Sequence, residues 1–560
     1  MYKKFVLLIG CSFLVVLFLT YATAHATFTF FDGKLESAGK IEQKAIIKYN
    51  MQGWEKGKGE YGYRSGDGRM ENPASFKTHF HIDANYHLYR TEKNMIDIYT
   101  LWEWFYDFAP DMSDNIHDGM HSRDRNRYQT PHGIEMCREL YINIVNGPWT
   151  FRIGKQMVVW GETSLKRTAD VVNPLDTRSH MMGVDDWEDF KKGLWMVRTF
   201  YQTSLKNDLT PEIIWVPHDI KVMDLPPEGT VFNTQYSGGF FSQLQRRWKY
   251  DEPKARGVKD SQGGIRLRGY NWDWDWTILW YNGFDPAPVQ VDWGQRGKES
   301  YKPTTAFGWA NYPLLMKAGA AGINIWAGEY NVNYLQGNPL PKFPTDRGFK
   351  YYRTDNYGAT AVRYFDSVKI RGLFIPTKTT ARIEFTFKEG VHMNRVLPGQ
   401  SPPVYGITKK DIIGYAMELS RDWMVPYIRN WNGERSVDTT LALYQDWIMC
   451  WKDHHLGLSG WDRGGGDKYT TTFNFSASTD WFNQEIDTRF STSYCTSGYG
   501  DFWTSIMYAP GDRWRYTVLF RTAWSNAGPN NNKGDNSYHT RWTEKDDTIQ
   551  FLQFKLGYLF

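Results

Sequence analysis

The sequence predicts an all-β protein: a single transmembrane antiparallel β-barrel of about eighteen strands, with sixteen as the alternative count. Three observations predict it. The chain opens with a leader of secretory type. Aromatic and polar residues then alternate over segment after segment, and one such segment forms its end.

The leader is MYKKFVLLIGCSFLVVLFLTYATAHA. Lys3 and Lys4 precede an apolar run from Phe5 to Leu19, and the small residues Ala24 and Ala26 close it. That order is the design of a cleaved signal peptide, giving residues 1–26 as leader and 27–560 as barrel. A lipoprotein box ending at Cys11 is the weaker reading, because the apolar stretch before it is short and continues past it. No later segment has the ~18 consecutive apolar residues of a membrane helix.

Composition agrees with a wet-sided barrel. The chain has 560 residues, 17% of them aromatic, with 26 Trp and 35 Tyr, yet its mean hydropathy is -0.58. Apolar residues are therefore interleaved with polar ones rather than gathered in runs. The net charge of +4 gives no reason to expect nucleic acid as a partner. Beyond the leader stand Cys137, Cys450 and Cys495, an odd number with no ligand spacing, so at most one disulfide is expected.

Alternation first becomes explicit at FKTHFHIDANYHLYR, residues 76–90. Phe80, Ile82, Ala84 and Tyr86 share one face of a strand, and His79, His81, Asp83 and His87 the other. MIDIYTLWEWFYDF repeats the pattern with Ile98, Trp102 and Trp104 against Asp97, Glu103 and Asp107. A sandwich would turn the aromatics inward, whereas a barrel turns them to lipid and the charges to an enclosed lumen. The end TIQFLQFKLGYLF decides for the barrel. Leu552, Phe554, Leu556, Tyr558 and Phe560 share a parity, as in the closing strand read by the barrel assembly machinery. Outer-membrane lipid and that machinery are thus the expected partners.

The stretch GGIRLRGYNWDWDWTILWYNG changes parity, odd at Ile265 and Leu267, then even from Trp272. One strand would push Arg266 and Arg268 into hydrocarbon, at ~2–4 kcal/mol for a charge at midplane. A turn at Gly269 to Asn271 is therefore expected. The Trp row would then face lipid, with Asp273 and Asp275 in the lumen.

Connections read this way alternate short and long. Short ones are expected near 91–94, 147–148, 206–208, 366–367, 432–436, 482–483 and 510–512, and long ones near 161–192, 218–261, 285–356 and 377–410, among others. Residues 285–356 are long enough to fold inward as a plug or constriction.

The most distinctive segment is FRIGKQMVVWGETSLKRTADVVNPLDTR, residues 151–178. Arg152, Gly154, Lys155 and Gln156 are followed by Trp160, Gly161 and Glu162, then by Asn173, Pro174 and Asp176. This resembles a family of Gram-negative outer-membrane proteins catalogued as domain of unknown function 1302. The resemblance implies an outer-membrane barrel working beside envelope exporters of lipid-like molecules. By parity Arg152 and Gln156 face the lumen, which turns Lys155 outward unless it lies at headgroup level or Gly154 marks a bulge. Glu162, Arg167, Asp170, Asn173 and Asp176 follow. They form either a charged constriction or a set of pairs pinning the loop to the wall.

His79, His81 and His87 lack the neighbours of a metal site and are read as solvated lumen residues. Asp453, His454, His455 and Ser459 have the content of a hydrolase but not its nucleophile elbow. No phosphate loop, dinucleotide fingerprint, haem motif or zinc spacing indicates a cofactor, and an enzyme is not expected. Two functions stand: a channel for a small, hydrophobic or lipid-like molecule, or a plugged barrel that binds a partner through its loops.

Overall fold

The computed structural model describes residues 28–560 except 53–72, 113–127, 179, 181–183, 186, 204–207, 225–248, 252, 254–256, 287–288, 293–346, 371–372, 398–403, 425–435, 452–454, 457–467, 483, 497–498 and 526–546. Among the described residues eighteen antiparallel strands close into one barrel, to whose sheet the short strands Phe28–Phe30 and His455–Leu456 add. In chain order they are β1 (Leu35–Gln52), β2 (Ser75–Arg90), β3 (Asn94–Asp107), β4 (Cys137–Asn146), β5 (Trp149–Gln156) and β6 (Leu194–Tyr201). Next come β7 (Thr210–Val216), β8 (Gln262–Asn271), β9 (Trp274–Phe284), β10 (Arg353–Ile370), β11 (Leu373–Leu397) and β12 (Val404–Met424). The last six are β13 (Ser436–Ile448), β14 (Tyr469–Trp481), β15 (Ile486–Cys495), β16 (Tyr499–Tyr508), β17 (Trp514–Ser525) and β18 (Asp547–Leu559). Each strand pairs with its successor, and β18 pairs with β1 to close the ring. Closure leaves no open edge in the wall, the condition for strands to cross a bilayer. The signal segment lies outside the described residues.

On β6 to β9, β11, β13 and β17 the outward parity carries large apolar residues. Trp195, Ile213, Trp215, Ile265, Ile278, Phe385, Leu441 and Val518 are exposed, while Glu212, Thr277, Glu384 and Glu418 between or beside them are buried. This is an outer-membrane barrel, with lipid outside and polar groups within.

The expected pair of strands in the tryptophan stretch is present, with its turn displaced. Asn271 pairs with Trp274, so Trp272 and Asp273 are the two turn residues. Both have positive φ, 52° and 63°, as a tight primed hairpin turn demands. Trp272, 85% exposed, is thus not part of the lipid-facing row. Asp273 lies 3.5 Å from Arg363 at the rim rather than on the lumen wall. Asp275 does face inward and pairs with Arg268. Gly269 is not a turn residue but a packing one, paired with Trp276 within the ladder. A Cβ there would lie 2.6 Å from the Trp276 ring on the neighbouring strand.

Three further expectations are corrected. The turn expected at 366–367 falls after Ile370, and most of the expected 377–410 loop is strand, because β10, β11 and β12 run 18, 25 and 21 residues. Gly154 shows no break in register with β4, although its φ of 140° and a Leu140 carbonyl 2.2 Å from a built Cβ require glycine. Lys155 keeps its outward parity but is buried, its ammonium on the carbonyl oxygens of Ile134, at 2.8 Å, and Cys137. Cys137, Cys450 and Cys495 are all free thiols.

Connections at one rim are short: 91–93, 147–148, 272–273 and 482–485 are examples. Those at the other rim include 108–136, 157–193, 217–261 and 285–352. Of the last, 293–346, the bulk of the expected plug, lies outside the described residues.

Candidate functional site: a loop folded into the lumen

Residues 157–193, between β5 and β6, do not extend from the rim. They enter the barrel and are fastened to distant strands. Glu384 on β11 is fully buried and accepts five hydrogen bonds. These come from the amides of Glu162, Thr163 and Ala169 and the hydroxyls of Thr163 and Thr168, at 2.6–3.1 Å. Glu418 on β12 accepts from the Ser164 amide and hydroxyl, both at 2.7 Å. Lys166 reaches Asp446 on β13 at 2.9 Å. Leu165 packs against Ala416, Ala442 and Tyr444. On another side Asp185 accepts from Lys44 of β1 at 2.9 Å. Arg138 of β4 donates to the carbonyls of Glu188, Asp189 and Lys191. Contacts on β1, β4 and β11–β13 place this loop across the lumen.

An apolar cluster seats its base: Val158, Trp160, Ala169 and Val172 of the loop pack with Leu194, Met196, Ile214, Leu279 and Tyr281 of the wall. The Trp160 ring meets Tyr281 edge-on at 6.2 Å. Its indole N–H donates to Glu212 at 3.3 Å.

Most of the site residues read from the sequence stitch this loop together. Asp170 accepts from the amides of Trp160 and Gly161 and from the Trp187 indole, and pairs with Lys191 at 2.7 Å. Asn173 accepts from Val158 and donates to the carbonyls of Gln156 and Lys192. Arg167 pairs with Glu188 at 2.7 Å, holding that carboxyl below its ordinary value against the upward push of burial. Burial would raise the Asp176 carboxyl, but Arg178, 2.6 Å away, overrides it and holds Asp176 well below the usual range. Gln156 is buried, its amide on the carbonyls of Gly154 and Met196. Asp170, Asn173, Asp176 and Arg167 thus brace the loop internally, whereas the pins to the wall are Glu384, Glu418 and Asp446.

Arg152 and Glu162 differ. The Glu162 carboxylate accepts no hydrogen bond among the described residues. Burial raises its pKa, opposed by Arg268. Arg152 donates to Asn143 at 3.0 Å and has no carboxylate within 4 Å among the described residues. Of the histidines, His79 lies 2.9 Å from Glu103 and 3.6 Å from Glu42, and His87 2.8 Å from Asp97, so both sit against carboxylates rather than in free solvent. His81 and Asp83 share their inward parity on β2. Among the described residues no group of His, Cys, Asp or Glu is placed to hold a metal ion. Asp453, His454 and Ser459 lie outside the described residues.

Glu384, Glu418, Asp446 and Arg138 escaped the sequence reading. Alternation marks Glu384 and Glu418 as inward-facing, but a partner some 220 or 250 positions away leaves no local pattern.

No curated protein matches the chain by sequence. Similar solved structures include OccK5 (OpdH) of Pseudomonas aeruginosa, at 7% identity and TM-score 0.44 over 95% of this chain and 99% of that one. OccAB1 of Acinetobacter baumannii matches at 8% identity and TM-score 0.44, covering 95% and 98%. The outer membrane channel DcaP of Acinetobacter baumannii matches at 8% and 0.37, covering 96% and 100%. The family described as "Protein of unknown function (DUF1302)" matches residues 7–543, and the chain belongs to that family.

Proposed function

We propose that this porin-like barrel is a conduit in which the 157–193 loop sets the constriction, passing a small molecule with apolar character across the outer membrane without chemical change. The observation that carries the reading is the attachment of that loop to Glu384, Glu418 and Asp446 on the wall remote from its own strands. A loop that merely covered a rim would not need buried carboxylates in the middle of β11 and β12. Removing the Glu384 carboxylate strands five buried donors, at about 1–3 kcal/mol for each one that finds no other acceptor, which loosens the loop around Thr163 while its other anchors remain. Purified wild type and the double variant Glu384→Ala/Glu418→Ala are compared in planar bilayers. The conduit reading expects a steady current in wild type and a larger one in the variant. The alternative, a plugged barrel that binds a partner through its loops, is favoured by the same inward loop and expects silence from both. Recognition of the closing strand by the barrel assembly machinery and operation beside an envelope exporter of lipid-like molecules belong to this proposal too. Residues 27–560 acting as one barrel unit complete it.

A further inference from the structure

The inner wall beneath the loop carries guanidinium groups in unusual company. Arg152 on β5 and Arg198 on β6 are directly opposed in register. Like charges so placed repel. Both lie against Phe200, with guanidinium carbons 5.7 and 4.7 Å from its ring centre, and Arg152 lies 5.5 Å from that of Tyr141. Arg266 on β8 is the third of the set.

Compensation is incomplete. Glu212 on β7 accepts from Arg198 Nε at 2.5 Å and from Arg266 Nε at 2.7 Å, and the Trp160 indole shares it. Arg268, further toward the rim, is taken by Asp275. Glu139, higher on β4, accepts the Met157 amide at 2.7 Å and acts on Arg152 and Arg198 only through space, without a hydrogen bond to either. Arg152 is left with a neutral amide, Asn143, on its Nε. The terminal nitrogens of Arg152 and Arg198 make no hydrogen bond among the described residues. Arg152, Tyr141 and Phe200 are half-buried on the lumen wall, whereas Arg198 is 7% exposed.

We propose that Arg152 and Arg198 form a docking site for the anionic head of an organic solute, with Tyr141 and Phe200 taking its apolar body. A carboxylate matches the planar fork of a guanidinium. It would relieve the repulsion between the opposed arginines, and the flanking rings would accept an aromatic or aliphatic tail. The site rests on the conduit reading in one respect: it names the class of solute, an amphiphilic monoanion, that would traverse the lumen.

The test uses the purified full barrel and benzoate as probe, with benzyl alcohol as its neutral counterpart. Binding is measured by calorimetry on wild type, Arg152→Gln, Arg198→Gln and Arg152→Lys. The expected result is benzoate binding that weakens about tenfold or more in Arg152→Gln, in line with loss of a charge-assisted bidentate contact. Arg152→Lys should retain part of it, and benzyl alcohol should bind no tighter to wild type than to Arg152→Gln. Heat-modifiable migration on gels confirms that each variant is a closed barrel. Should Arg198→Gln misfold, Arg152→Gln alone decides, since Arg152 holds no carboxylate. The proposal is overturned if wild type does not bind benzoate, if Arg152→Gln binds it as tightly, or if the neutral alcohol competes equally. Benzoate binding in a barrel silent in bilayers would leave the anion site standing and remove the conduit.

Discussion

Glu384 illustrates what a single side chain does here. Five donors converge on a carboxylate with no access to water, so the loop backbone around Thr163 finds its hydrogen bonds on a strand far from its own. His180 works in the opposite sense. It is buried in the same loop, 3.2 Å from the Asp176 carbonyl. Burial lowers its pKa from 6.5, and Lys77 lowers it further, against the pull of Asp185, Asp176 and Glu103. The docked loop therefore favours neutral imidazole. Its contribution to docking is full above about pH 6.5 and is lost as the pH falls through the lowered value. Asp176 stays ionised throughout that window. The rate of tryptic cleavage within 157–193, taken relative to that of an unfolded control peptide at the same pH, should accordingly rise as the pH falls below about 6.5, and His180→Gln should flatten the dependence. A wild-type relative rate that does not change with pH would refute this. Parity alone was enough to place Arg152, Asp275 and the β2 histidines on the lumen side. It could not reveal that Asp170 and Asn173 turn back on their own loop, because hydrogen bonds within a loop follow no period.

At the level of strands, glycines opposite aromatic rings recur. Gly269 faces Trp276, Gly500 faces Trp524, and Gly39 faces Phe560, each with a built Cβ 2.6–2.7 Å from a ring atom. The ring lies over the bare backbone of the neighbouring strand and covers it where a side chain is missing. Gly269→Val should force the Trp276 ring and Leu209 aside and cost about 1–3 kcal/mol, as overpacking does. The temperature at which the folded band disappears on heat-modifiability gels is the measurement, and an unchanged temperature would deny the packing role. The same glycine explains the misplaced turn. Sequence signals for tight hairpins are Asn-Gly or Asp-Gly, and Trp272-Asp273 contains neither. The long strands β10–β12 were missed for a related reason: Pro376 and Gly390 look like loop residues, yet Pro376 pairs with Ser367 of β10 and Gly390 sits in a bulge between Lys388 and Val391 where β11 runs beside β12.

For the whole molecule, alternation along most of the chain together with the closing segment 548–560 was enough for an outer-membrane barrel with polar groups inside, and it left eighteen or sixteen strands open, of which the structure has eighteen. Contacts across the lumen were not, since they join segments that no periodicity relates. The orientation is directly testable. Ile278 on β9 is 57% exposed on the lipid side. Ile278→Arg should lose about 2–4 kcal/mol of stability in lipid vesicles. Thr360→Ser, which keeps a hydroxyl at the buried partner of Thr277 on the inner side, should lose far less. Equal losses in urea titrations would mean that the two faces had been assigned the wrong way round.

The β10–β11 hairpin sets a waterline. β9 accompanies β10 only as far as Arg363, and β12 accompanies β11 only from Thr379. Below that level Ser367 to Ile370 pair solely with Leu373 to Pro376 among the described residues. On the β9 side, where the turn at 272–273 ends the neighbouring strand, the edge of this tongue offers amides and carbonyls that have no partner strand among the described residues and that hydrocarbon cannot satisfy. The inner leaflet must therefore end above it, leaving the tongue standing in the aqueous space beneath the membrane.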